Sequence, residues 1–90
     1  MRPLLSREQV RHEKACSEAL EKLLNNGATI CRTQEPAFID IIGIQKDEGI
    51  FFVEVKAGGS IRYSFNEKRF HELCKRYGLK LMLYHKNQFP

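Results

Sequence analysis

The sequence predicts a single small α/β domain over residues 1–90, of order helix, strand, strand, strand, helix, strand, with a mixed sheet flanked by the helices. Two helix starts carry a serine followed three residues later by glutamine or glutamate, the capping-box pattern. Between them lie two segments that are apolar at nearly every position, 38–44 and 50–55. A last alternating segment at 79–83 supplies the final strand.

The first predicted helix begins at Ser6, whose capping-box partner is Gln9, and ends at Asn25-Asn26-Gly27. Its expected core-facing stripe is Val10, Cys16, Ala19, Leu20, Leu23 and Leu24. A short strand at 29–31 then leads into a polar turn at 33–36.

The two central strands form a predicted antiparallel hairpin whose loop length decides which side chains share a face. Their near-continuous apolar pattern is typical of strands that are covered on both faces. A three-residue loop closed by Gln45 and Gly49 sets Asp40 opposite Glu54, whereas a four-residue loop would separate the two carboxylates. We therefore expect an odd-length loop or a bulge.

The second predicted helix begins at Ser64, with Glu67 completing its capping box, and ends at Gly78. Its apolar stripe is Phe70, Leu73, Cys74 and Tyr77. The capping role alone explains why Glu67 is present.

Composition sets modest bounds on function. The formal net charge of +4 favours a polyanionic partner. The three cysteines are widely spaced without a Cys-x-x-Cys pair, so we expect buried thiols in a reducing compartment rather than disulfides or a zinc site. No apolar run approaches membrane length, and we expect an intracellular protein that does not bind a membrane. Ninety residues bury a small core, which dimerisation would stabilise.

Three charged residues interrupt the apolar hairpin: Asp40, Glu54 and Lys56. Burying such charges costs free energy unless they are paired or bind a metal ion. Two carboxylates suit Mg²⁺ or Mn²⁺, which bind few carboxylates and keep several waters, and the backbone carbonyl of Val55 could add a neutral ligand. Lys56 could then orient or deprotonate an attacking water, or offset charge that develops on a phosphate.

The arrangement of Asp40, thirteen residues and then Glu54-Val55-Lys56 resembles the signature of the PD-(D/E)XK nuclease superfamily. With its flanking helices, the chain is similar to the small members, namely archaeal Holliday junction resolvases and VRR-type nuclease domains. Ile39 stands where the signature has proline, and Pro36 lies four positions before Asp40. The resemblance implies a restriction-endonuclease-like core and a metal-dependent endonuclease that acts on branched or otherwise distorted DNA. It also implies a homodimer, cytoplasmic or nucleoid-associated, in a cell, virus or mobile element.

Both resembled groups place a glutamate of the first helix at the metal site. Glu13 shares a predicted core-facing stripe with Val10, Leu20 and Leu24, and is preferred for this catalytic and metal-binding role over Glu18, which lies on the expected wet face. Alignment to the resolvases, anchored on Gly27, instead puts Cys16 at that position.

Gly58 and Gly59 permit a close backbone approach to a phosphate, and Arg62, Lys68 and Arg69 are the expected DNA-binding side chains beside them. In VRR-type domains a glutamine near the start of the second helix lies beside the catalytic face, and Glu67 occupies the similar position here. His71 resembles a residue frequent in that helix.

The leading hypothesis is therefore a divalent-metal-dependent endodeoxyribonuclease, specific for DNA structure rather than sequence because ninety residues leave little room for elements that read bases. The alternative is a catalytically silent nucleic-acid-binding module with the same fold. A third reading is an α/β interaction domain in which Glu54 and Lys56 pair with each other. The sequence does not separate DNA from RNA.

Overall fold

A computed structural model describes residues 6–33 and 39–89. Residues 34–36 of the predicted turn, together with Phe38 at the start of the hairpin, lie outside the described residues, whereas Thr33 lies in a strand rather than in the turn.

The elements are α1 (Arg7–Asn25), β1 (Ile30–Thr33), β2 (Ile41–Gln45), β3 (Gly49–Lys56), α2 (Phe65–Tyr77) and β4 (Lys80–His85). They form a sheet of order β1-β2-β3-β4. The first two pairings are antiparallel and β3 pairs with β4 in parallel, so α2 is the crossover between parallel neighbours. The predicted α/β fold with a mixed sheet is confirmed.

The hairpin register follows the three-residue loop. Ile41 pairs with Val53 and Gln45 with Gly49, which leaves residues 46–48 as the loop. Asp47 and Gly49 take positive φ angles of 68° and 87°, the backbone geometry that closes so short a turn. Beyond the strand, the Asp40 N–H donates to the Val53 carbonyl at 3.2 Å. Asp40 therefore continues the hairpin alignment toward Glu54, as predicted.

Both helices begin with complete capping boxes. Ser6 and Gln9 exchange side-chain and backbone hydrogen bonds at the start of α1, and Ser64 and Glu67 do so at the start of α2. At the other end of α2, Gly78 takes the left-handed conformation and its N–H donates to the Cys74 carbonyl. These capping contacts confirm the predicted helix limits, which depend on local chemistry alone.

The core lies between α1 and one face of the sheet. Ile41, Phe51, Val53, Val55 and Tyr84 are at most 2% exposed on that face. From α1, the buried residues are Ala15, Cys16 and Ala19. Gly43 is required within this layer, because a Cβ there would lie 2.3 Å from the Phe51 ring.

The predicted stripe of α1 is partly wrong. Val10 and Leu24 are 52% and 47% exposed, so the buried face is rotated toward Ala15 and away from these two residues. Small side chains on the buried face let the helix approach the sheet closely, a feature that a count of large apolar residues does not register.

The opposite sheet face carries α2 and is covered incompletely, contrary to the expectation of two covered faces. Phe70 of α2 packs edge-on against Phe52 at 5.2 Å, and Cys74 is the buried residue of this helix. Ile44 and Ile50, on the same face, are 44% and 57% exposed. Cys16 and Cys74 are buried as predicted, while Cys31 is half-buried, and all are free thiols.

No helix in the described part of the chain is long and apolar enough to cross a membrane.

Candidate functional site

The end of β3 opens into a cleft of about 550 Å³, where the first turns of both helices meet the sheet. The residues that line it are Glu8, Arg11, His12, Asp40, Val55, Lys56, Ala57, Gly58, Ser64 and Glu67. Two helix N-termini and three basic side chains therefore face a space that also holds carboxylates. Such a mixture suits a ligand that carries both a phosphate and a metal ion.

Asp40 is fixed in the cleft by two contacts. Its Oδ2 accepts a hydrogen bond of 2.7 Å from the Val55 N–H, and its Oδ1 lies 3.0 Å from His12 Nε2. The hydrogen bonds to Asp40 first, and then to Cys16, raise the pKa of His12 to about 10, so its imidazolium donates to the carboxylate at neutral pH. A strand and a helix thus position one carboxylate jointly.

Lys56 and Glu67 form an ion pair that lines the cleft. Lys56 Nζ donates to Glu67 Oε2 at 2.6 Å, while Glu67 Oε1 accepts the Ser64 N–H at 2.8 Å. Burial alone would raise the pKa of Glu67, but the neighbouring Glu54 carboxyl and the hydrogen bonds from Lys56 and the Ser64 backbone outweigh it and lower the pKa to about 2. The ammonium group also lies 5.2 Å from the centre of the Tyr63 ring. Capping and ion pairing hold both charges at the cleft.

Glu54 lies behind the ion pair of Lys56 and Glu67, and it is only 2% exposed. Its Oε2 is 2.8 Å from His71 Nε2, whereas its Oε1 is buried and has no hydrogen-bond partner. Burial, and then the neighbouring Glu67 carboxylate, raise the pKa of Glu54 to about 8 against the opposing effect of Lys56. The raised pKa therefore favours the protonated form of Glu54 at neutral pH, because burial disfavours the charged form.

A group that could hold a metal ion is present at the cleft. One nitrogen of His12, the sulfur of Cys16 and one carboxylate oxygen of Asp40 all lie within 4.8 Å of one another. This group combines the predicted Asp40 with Cys16, which alignment to the resolvases puts at the metal-site position of α1, and with His12, which the sequence did not indicate as a ligand.

The structure brings Asp40, Val55, Lys56 and Gly58 together around the cleft, as the sequence predicted. The Gly58 carbonyl is held by His85 Nε2 at 2.9 Å. The remaining predicted DNA-binding residues, exposed but outside the lining of the cleft, are Gly59, Arg62, Lys68 and Arg69. Their role stays a prediction, as does that of the Val55 carbonyl.

Among the described residues, the carboxylate that α1 contributes to the cleft lining is Glu8, and Glu13 is not part of that lining. Glu18 lines a separate depression near the other end of the helix, with Asn25 and Asn87. Of the residues in its predicted core-facing stripe, Val10 and Leu24 are exposed, whereas Leu20 packs against the core. The stripe therefore supports a core-facing Glu13 only in part, and its metal-binding role stays a prediction.

Sequence reasoning missed Glu8, Arg11 and His12 in the cleft and the contact between His71 and Glu54. The sequence does contain a signal that His12 faces the interior. It lies four residues before the buried Cys16, and therefore on the same side of α1. The resemblance to known nucleases implies a glutamate on this helix, and the spacing of His12 in the sequence does not by itself indicate a ligand.

In comparisons with protein-family models, curated proteins and solved structures, no significant match to this chain is found.

Proposed function

We propose that the protein is a divalent-metal-dependent endodeoxyribonuclease that hydrolyses phosphodiester bonds in branched or distorted DNA, with the cleft at the end of β3 as its active site. The observation that carries this proposal is the convergence of Asp40, Lys56 and Glu67 on one cleft, with the buried carboxyl of Glu54 directly behind. The cofactor would be Mg²⁺ or Mn²⁺, because both accept carboxylate and water ligands.

The residues fit such an ion at Glu54. A buried carboxyl oxygen without a partner and a pKa of about 8 describe a group whose ionised form needs a further positive charge. Asp40 and Glu54 would hold a divalent ion, which would supply that charge and the means to polarise a phosphate oxygen and activate water.

The chain's own groups would perform the remaining work. Lys56 would keep its ion pair with Glu67 and donate a second hydrogen bond to the attacking water or a phosphate oxygen, since its ammonium offers three donors. Glu67, held in its capping box, would orient that lysine. Arg11 lines the cleft and could bind the DNA backbone, with Arg62, Lys68 and Arg69 contributing outside it.

A second candidate, the catalytically silent nucleic-acid-binding module, has support of its own. Glu54 is 2% exposed and is not among the residues that line the cleft, and it already has His71 as a neighbour. A site of this kind could keep its basic surface for binding DNA without recruiting the second metal-binding carboxylate.

The test is cleavage of a labelled four-way junction and of the matching linear duplex, with Mg²⁺, with Mn²⁺ and with EDTA. The proposal expects metal-dependent nicks in the junction, and Lys56→Ala should lower the rate by about 100-fold or more, as loss of a transition-state donor does. Paired symmetric nicks would further indicate that the enzyme acts as a homodimer.

Lys80→Ala is the matched control, because Lys80 forms an exposed ion pair of 3.0 Å with Glu48 and does not line the cleft. Its cleavage rate should equal that of the wild type. Salt-sensitive binding of the junction without cleavage by a folded protein would favour the silent module over the nuclease. If the folded protein neither binds nor cleaves the junction, the remaining interpretation is the α/β interaction domain.

A further inference from the structure

We propose that His12, Cys16 and Asp40 form a binding site for a thiophilic transition-metal ion, with Zn²⁺ as its representative ligand. Thiolate and imidazole ligands favour Zn²⁺ over Mg²⁺, which prefers oxygen. The site therefore differs in chemistry from the Mg²⁺ or Mn²⁺ site proposed above, although Asp40 belongs to both.

The distances suit a tetrahedral ion. Cys16 Sγ lies 3.8 Å from His12 Nε2 and 3.9 Å from Nδ1, and Asp40 Oδ1 lies 3.0 Å from Nε2. Zinc-ligand bonds of about 2.3 Å to sulfur and about 2.0 Å to nitrogen place those two ligand atoms roughly 3.5 Å apart at tetrahedral angles. To admit the ion, the sulfur and nitrogen would approach each other by a few tenths of an ångström, and the histidine and aspartate would separate by about as much.

The backbone already holds the three ligands in place. His12 and Cys16 are four residues apart on α1, so they project from the same side of one helix. Asp40 is locked by the Val55 N–H, which leaves Oδ1 directed at His12. A backbone hydrogen bond to a ligand carboxylate is the usual outer contact that orients a metal ligand.

Access and coordination number are also satisfied. Cys16 is 7% exposed and protected from bulk solvent, while the His12 side chain is 42% exposed where it lines the cleft. An ion could enter from the cleft and keep an open fourth position toward it for water. On binding, the Cys16 thiol and the His12 imidazolium each release a proton to solvent, since both ligate in their deprotonated forms.

The shared aspartate has a consequence that rests on the proposed nuclease function. A zinc ion on Asp40 Oδ1 withdraws that carboxylate from the catalytic ion, so Zn²⁺ should inhibit cleavage supported by Mg²⁺. The site would thus be an inhibitory zinc site beside the proposed active site.

The binding test needs no nuclease activity. Co²⁺ serves as a spectroscopic probe for Zn²⁺, because a tetrahedral cobalt site with a thiolate ligand shows a sulfur-to-cobalt charge-transfer absorption in the near ultraviolet. The wild type should develop this band with one equivalent of Co²⁺, and Zn²⁺ should abolish it by displacement. Absence of the band in a folded wild-type protein would overturn the proposal.

Cys16→Ser and His12→Ala should each remove the band or weaken Co²⁺ binding by at least about tenfold, as loss of a ligand or its support does. His12→Ala guards against misfolding of the Cys16 variant, because His12 is only half-buried. Cys74→Ser is the matched control, since Cys74 is also buried but lies on α2 outside the metal group. A band lost in Cys74→Ser but kept in Cys16→Ser would refute the site.

Inhibition is measured separately. Zn²⁺ should inhibit Mg²⁺-supported cleavage by the wild type, and Cys16→Ser should need at least about tenfold more Zn²⁺ for the same inhibition. A protein that binds Co²⁺ but cleaves nothing would retain the metal site and refute only the proposed function. Equal inhibition of the wild type and Cys16→Ser would refute inhibition through this zinc site.

Discussion

The two faces of the sheet differ in how they use apolar residues. On the α1 face, the side chains of Phe51, Val53 and Val55 are at most 2% exposed. On the α2 face of the same strand, Ile50 is 57% exposed and the buried Glu54 carries a polar group. The comparison teaches that stability is concentrated on one face, whereas the other face tolerates exposed apolar groups and an imperfectly paired carboxyl beside the cleft.

The largest stability difference is expected between neighbours on β3. Phe51→Ala should reduce the free energy of unfolding by about 3 to 5 kcal/mol, because it removes a buried ring and leaves a cavity. Ile50→Ala should change it by only about 0.5 kcal/mol, as for other exposed sites. Urea unfolding followed by circular dichroism measures both, and similar losses in the two variants would contradict the division between faces.

The buried carboxyl should give a pH-dependent difference of intermediate size. Its pKa rises from 4.5 to about 8 in the folded protein, so the unfolded chain releases this proton first as pH increases. Glu54 therefore lowers stability progressively between pH 4.5 and 8, by at most about 1.4 kcal/mol per pH unit. Glu54→Gln should remove this decline and raise Tm near neutral pH.

The window between pH 4.5 and 6.5 isolates this effect. The raised pKa of His12 stabilises the fold fully below 6.5, and that contribution is lost only as pH rises toward about 10. The lowered pKa of Glu67 matters below 4.5, where stability falls as pH approaches about 2. Thermal unfolding of the wild type and Glu54→Gln across the window should diverge with increasing pH, and parallel curves would rule out the raised pKa.

The smallest effect concerns the two helix caps. Ser64→Ala and Ser6→Ala each remove a capping hydrogen bond, at a cost of about 1 kcal/mol. Because Cys74 is the buried residue of α2, whereas α1 buries Ala15, Cys16 and Ala19, the loss at Ser64 should appear mainly as faster local opening. Amide hydrogen exchange should accelerate along α2 in Ser64→Ala, without a matching change along α1 in Ser6→Ala.

Much of the backbone was predictable because its determinants are local. The capping boxes at Ser6 and Ser64 fixed where the helices begin, and the loop between Gln45 and Gly49 fixed the register of the hairpin. That register was enough to predict that Asp40 and the end of β3 meet.

The sequence by itself therefore determined the order of elements and the alignment of Asp40 with the end of β3, since capping, turn length and strand alternation act over a few residues. Only the tertiary structure decided that Glu54 is buried against His71 and that α1 presents His12 and Cys16 to Asp40. Those contacts depend on how each helix is rotated on the sheet. Small residues such as Ala15 and Ala19 set that rotation through close packing, which a pattern of large apolar residues does not encode.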